Sequence, residues 1–99
     1  MPLSDDDLYT AWRAGETAAF ESLFNRYEQR LLGFLVSRGG TREEAEEIAQ
    51  NTWMKLLDPK TPYRARGRFH LWLFQIARRR LVHQQITAPE RNHTVFEAP

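Results

Sequence analysis

Between residues 17 and 38 the apolar side chains Phe20, Leu23, Phe24, Tyr27, Leu31, Phe34 and Leu35 return every three or four positions. Only an α-helix places such residues on one face, so this stretch commits the chain to helix-on-helix packing. Gly39 and Gly40 end the run, and Thr41 with Glu44 three positions later forms a capping box for the next helix. There Ala45, Ile48, Ala49, Thr52, Trp53, Leu56 and Leu57 repeat the spacing until Asp58-Pro59, where the residue before proline disfavours helical geometry. Ser4 followed by Asp5, Asp6 and Asp7 places a capping hydroxyl and three carboxylates at a helix N-terminus. A short helix is expected from there to about Ala14, with Leu8, Ala11 and Trp12 as its apolar stripe and Gly15 as its stop.

Residues 59–67, PKTPYRARG, show no periodicity and read as a basic loop. A last helix is expected from Phe69 to Gln85, with Phe69, Trp72, Leu73, Ile76 and Ala77 inward and Arg78 and Arg79 outward. Arg80 projects near the Phe69 and Ile76 side, where it is expected to snorkel or pair with an acid. From Thr87 onward TAPERNHTVFEAP has no pattern and reads as a linker or tail. The expected architecture is all-α: a compact bundle of four helices over residues 1–86, then a flexible segment over 87–99.

A chain of 99 residues with 41% hydrophobic residues supports one modest core. The absence of Cys excludes disulfides and thiolate metal sites, and His70, His83 and His93 lack zinc-ligand spacing, so neither metal nor cofactor is expected. With no run of about 18 apolar residues, membrane spanning lacks support and the cytoplasm is the expected compartment. The net charge of +1 hides a segregation: residues 1–50 hold five Arg against ten acids, and residues 51–99 hold nine Lys and Arg against three. A basic half suits a polyanion and an acidic half a basic protein surface.

Enzymatic readings find little support. Glu43, Glu44, Glu46 and Glu47 lie in the first turns of a helix, where acids complement the dipole and stay solvated. No nucleophile elbow, phosphate-binding glycine loop or paired-His zinc motif occurs. The basic loop is more informative. Lys60, Arg64, Arg66 and Arg68 can neutralise phosphates, and Tyr63 offers a face for stacking an unpaired base, typically worth about 1–3 kcal/mol. The alternative is that Tyr63 covers the bundle and the arginines keep the loop soluble. Trp53, Trp72, Phe20, Phe24, Phe34 and Phe69 fall on apolar stripes and read as core.

Over about residues 5 to 86 the chain resembles domain 2 of the extracytoplasmic-function sigma factors. The stretch FESLFNRYEQRLLGFLVSRGGTREEAEEIAQNTWMKLL is similar to that family's two successive helices, with Ala45-Glu46-Glu47-Ile48-Ala49-Gln50-Asn51-Thr52-Trp53 at its acidic motif. FHLWLFQIARRR is similar to the family's W-L-[FY]-x-I-A-x-N helix. The resemblance implies binding of the third helix to the clamp helices of the RNA polymerase largest subunit through Glu47, Gln50 and Asn51, with Glu43, Glu46 and Trp53 as neighbours. It also implies recognition and melting of the −10 promoter element by the loop and fourth helix. Tyr63 and Arg64 would hold a base flipped out of the single-stranded non-template strand, with Lys60, Arg66, Arg68, Arg78 and Arg79 on the backbone. An anti-sigma factor is a further expected partner. The sequence departs from the family's pattern at Asn51, Arg79, His83 and Gln85, and the family's second promoter-reading domain, a helix-turn-helix, has no counterpart in it. A sigma-like protein-interaction domain without sequence-specific DNA readout is the alternative.

Overall fold

The computed structural model describes residues 3–58, 60, 62–64 and 66–87. The tail expected beyond Thr87 lies outside them. Four helices follow one another: α1 (Asp5–Arg13), α2 (Thr17–Ser37), α3 (Arg42–Leu57) and α4 (Phe69–Thr87). No strand occurs among the described residues, so the chain is all-α. None of these helices is long and apolar enough to cross a membrane.

The helix ends follow local chemistry. Ser4 Oγ accepts from Asp7 N at 3.1 Å while the Asp7 carboxylate accepts from Ser4 N, which closes a capping box on α1. Thr41 and Glu44 do the same for α3, at 3.1 and 2.9 Å. After α2 the chain turns through Gly39 at φ +103°, a left-handed conformation that costs a residue with a Cβ. This lets Gly40 N reach back to Leu35 O at 3.1 Å and satisfy a carbonyl that the helix end leaves free. The short link aims α3 back along α2.

Leu23, Leu31 and Leu35 of α2, Ile48 and Leu56 of α3, and Phe69, Leu73 and Leu81 of α4 are completely or almost completely buried and form the centre of the bundle. Thr52 sits among them and its hydroxyl donates to Ile48 O at 2.8 Å, so its polar atom is satisfied within its own helix. Leu81 joins this centre although the expected inward set stopped at Ala77, while Trp72 and Ile76 of that set are half-buried. Arg80 is exposed and has no ion pair among the described residues, so of the two expected arrangements, snorkelling or pairing with an acid, the second is not found among them.

The bundle closes at one end through α1. Its buried residues are Leu8 and Tyr9, and Tyr9 packs against Trp12, Tyr63, Phe69 and Trp72 with ring centroids 5.3 to 6.2 Å apart. Asp5 ties α1 to α2, accepting from Arg26 Nη1 at 2.6 Å and from the Tyr27 hydroxyl. Burial first, and the bond to Asp5 second, push the Tyr27 phenol up to about 12.

Candidate functional site

Between α3 and α4 the backbone amides of Arg66 and Arg68 converge on one hydroxyl, that of Tyr63. Tyr63 Oη donates to Asp6 Oδ1 at 2.6 Å and accepts from Arg68 N at 2.9 Å and Arg66 N at 3.4 Å. Asp6 Oδ2 accepts from Gly67 N at 2.5 Å, and Tyr63 N donates to the Tyr9 hydroxyl at 3.1 Å. The Tyr63 ring is only 8% exposed and sits edge-on to Tyr9 and Phe69, with centroids 5.3 and 5.4 Å away. Burial, and then the bond to the Asp6 carboxylate, raise its phenol pKa above the ordinary value.

This corrects the expectation that Tyr63 presents an open face to an unpaired base. An aromatic side chain with its hydroxyl satisfied by a carboxylate and its ring packed against three others, Tyr9, Phe69 and Trp72, gains more inside than on the surface. The flanking cations do not follow it inward. Arg64, Arg66 and Arg68 are exposed, and none of their guanidinium groups has an ion pair among the described residues. With Tyr63, Leu71, Trp72 and Gln75 they line an open groove of 340 Å³ that has no carboxylate in its wall among the described residues. Leu71 is 61% exposed and Trp72 half-buried, so the groove offers cations, an amide and an apolar wall together. Lys60 is exposed at the start of the loop, where its N donates to Asp58 Oδ1 at 2.9 Å.

A second groove, of 590 Å³, runs between α2 and α3 and shares no residue with the first. Its wall includes Phe20, Phe24, Glu46, Gln50, Met54 and Leu57, of which Met54 is 60% exposed. Glu46 pairs with Arg42 at 3.2 Å across one helical turn, an exposed contact of small energetic weight. Glu43 and Glu47 are exposed on α3. Trp53, named among the polymerase-facing neighbours, is 4% exposed, and its indole N–H donates to Glu28 Oε1 at 2.8 Å. It is therefore part of the core and only edges the groove floor.

Asn51 turns away from Glu46 and Gln50 into a third cleft, of 270 Å³, between α3 and α4, with Thr52, Lys55, Ile76, Arg79, Arg80 and His83. Three of the positions that depart from the expected pattern, Asn51, Arg79 and His83, thus meet in one place. Arg78 is exposed and lines none of these three recesses. The site residues expected from sequence are therefore divided among these three recesses, the core at Trp53, and exposed positions outside the recesses at Lys60, Glu43, Glu47 and Arg78.

Sequence reasoning missed Asp6 and Tyr9 as supports of the loop, since an acid in a first helical turn and an aromatic beside a stripe both have adequate local explanations. It also missed Leu71 and Gln75, whose exposure on α4 is visible only once the loop is placed beside them.

Residues 23–85 match the family model described as Sigma-70 region 2. The chain is 36% identical over 73 residues to the ECF RNA polymerase sigma factor RpoE of Cereibacter sphaeroides, an alignment covering 68% of this chain and 38% of that protein. It is 29% identical over 92 residues to the RNA polymerase sigma factor YlaC of Bacillus subtilis, covering 82% and 53%. To the RNA polymerase sigma-H factor of Pseudomonas aeruginosa it is 29% identical over 73 residues, covering 74% and 38%. It thus spans about two fifths to one half of the length of these relatives. No solved structure gives a significant match.

Proposed function

Because the chain belongs to the sigma-70 region 2 family, in its extracytoplasmic-function form, we propose that it acts without catalysis as the part of a transcription initiation factor that docks on RNA polymerase and captures melted promoter DNA. The groove beside the loop carries this reading. Arg64, Arg66 and Arg68 surround Leu71 and Trp72, and guanidinium groups with no ion pair among the described residues, beside an aromatic and apolar wall, suit a single strand, whose phosphates and base faces are exposed together. Duplex DNA keeps its base faces stacked and offers only its phosphates to such a surface. Binding to the open form alone lowers its free energy relative to the closed form, so melting is driven by trapping.

In this reading the unpaired base of the −10 element rests against Trp72 and Leu71, with Gln75 able to donate and accept at its edge. The role first expected of the Tyr63 ring passes to them. Arg64, Arg66, Arg68 and Lys60 hold the backbone, with Arg78 and Arg79 further along α4. The groove between α2 and α3 receives the clamp helices: Glu43, Glu46, Glu47 and Gln50 complement basic side chains, and exposed Met54 and Leu57 supply apolar contact. An anti-sigma factor would compete for this same face, and the cytoplasm, where polymerase works, is the compartment.

The test is fluorescence anisotropy with labelled single-stranded and duplex oligonucleotides at two salt concentrations. Single strands are expected to bind more tightly than duplex, with a sequence preference that persists at the higher salt. Replacing Arg64, Arg66 or Arg68 by Ala should reduce the salt slope by about one each. Equal, purely salt-driven binding of both forms would favour the second reading, a protein-interaction domain without readout, to which the burial of Tyr63 gives its one support.

A further inference from the structure

The loop that carries the arginines is held from α1, which precedes the residues that the family model matches. The family match begins at residue 23, whereas Asp6 and Tyr9 belong to α1 (Asp5–Arg13). Across a separation of 57 residues, Asp6 takes the Tyr63 hydroxyl on one oxygen at 2.6 Å, and on the other it takes Gly67 N at 2.5 Å. Gly67 has φ +73°, and the hydroxyl that Asp6 orients is the acceptor for Arg66 N and Arg68 N. One carboxylate therefore holds the Tyr63 hydroxyl and the Gly67 amide on either side of Arg64 and Arg66, which with Arg68 line the groove.

We propose that Asp6 is a positioning residue for nucleic-acid binding: from α1 it holds the arginine loop in the shape that meets a single strand. The proposal rests on the reading of the groove given above. Its physical basis is preorganisation. Without the carboxylate the segment becomes a flexible link between α3 and α4, and a strand must then order it on binding, which weakens affinity although every cation remains.

The proposal predicts a sign opposite to that of charge alone. Asp6 is an anion close to a phosphate-binding surface, and Coulomb repulsion by itself means that its removal should tighten binding of a polyanion. Positioning requires that its removal loosen binding. Asp7 supplies the control, since it sits in the same helical turn, carries the same charge, is exposed, and among the described residues its carboxylate accepts only from Ser4 N at 3.4 Å, while its own N–H donates to Ser4 Oγ.

The experiment compares the unaltered chain with Asp6→Ala, Asp6→Asn and Asp7→Ala. Three readouts are taken: anisotropy with a thymidine homopolymer and a mixed-sequence single-stranded pool, the rate of tryptic cleavage after Arg64, Arg66 and Arg68, and binding to a clamp-helix peptide. For Asp6→Ala the expected result is about tenfold weaker oligonucleotide binding, an unchanged salt slope, faster cleavage in the loop and unchanged peptide binding. Asp6→Asn, which keeps one acceptor, should fall between Asp6→Ala and the unaltered chain. Asp7→Ala should bind the oligonucleotides as tightly as the unaltered chain or more tightly. Peptide binding guards against general unfolding, because a variant that has merely lost its fold loses that as well. If Asp6→Ala binds the oligonucleotides as well as or better than the unaltered chain, the positioning role is overturned while the reading of the groove stands. If the unaltered chain binds neither oligonucleotide, the reading of the groove is overturned and the positioning role falls with it.

Discussion

Replacing Tyr63 by Phe removes a single oxygen atom and leaves the ring with its neighbours Tyr9, Phe69 and Trp72. That oxygen makes a bond to a carboxylate at 2.6 Å and accepts from Arg68 N at 2.9 Å, with a longer contact from Arg66 N at 3.4 Å. A hydrogen bond to a charged group contributes about 1.5–3 kcal/mol net and one to a neutral amide about 1 kcal/mol. The loop backbone lies near solvent, so water recovers part of the loss at the two amides, and Asp6 keeps its bond to Gly67 N. The expected destabilisation is therefore about 2–3 kcal/mol, a large share of the stability of a small domain. Urea unfolding followed by far-ultraviolet circular dichroism should show a lower midpoint with an unchanged slope, because the same surface is exposed on unfolding. Combining Tyr63→Phe with Asp6→Ala should cost less than the sum of the two changes, by about 1–2 kcal/mol, since both delete the same bond. A loss below about 0.5 kcal/mol at constant slope would refute the claim that this hydroxyl organises the loop.

The Tyr27 phenol, pushed up from 10.0 to about 12, makes stability depend on alkali. A raised value in the folded state means that its contribution is fully present below pH 10 and disappears as the pH climbs through 12, on the order of 2 kcal/mol in all; Tyr27→Phe should flatten that part of the urea-midpoint profile. At Gly67 an added Cβ meets nothing within 4 Å, so Gly67→Ala should cost only the left-handed backbone strain, about 1 kcal/mol in the same denaturation assay. Trp53→Phe forfeits the bond to Glu28 and part of a buried ring, and should lower stability by roughly 1–3 kcal/mol. It should leave the affinity for a clamp-helix peptide nearly unchanged in a titration.

The parts of this molecule that could be read from sequence are those governed by neighbours three or four residues apart. The α2 stripe, the Thr41 and Glu44 capping box and the stop at Asp58 are local statements of helix geometry, and each stands in the structure within a residue or two. The loop obeys no such period. Tyr63 turns inward because Asp6 and Tyr9 wait 57 and 54 residues earlier in the chain, and nothing near residue 63 announces them. The three aspartates at the start of α1 show the same limit. Asp7 does what a capping acid does, while Asp5 and Asp6 are spent on Arg26, Tyr27, Tyr63 and Gly67. For Trp53, spacing placed the ring in the core and family position placed it on an interface; packing against Phe20 and Phe24, with centroids 5.8 and 5.3 Å away, decides for the core.

The whole account turns on two separate surfaces, one for a protein and one for an unpaired strand. Amide chemical-shift mapping of the labelled chain, titrated first with a clamp-helix peptide and then with a single-stranded oligonucleotide, tests this most directly. The peptide should move Glu46, Gln50, Met54 and Leu57, and the oligonucleotide should then move Arg64, Arg66, Arg68, Leu71, Trp72 and Gln75 without displacing it. Overlapping sets of shifted amides, or an oligonucleotide that expels the peptide, would contradict it.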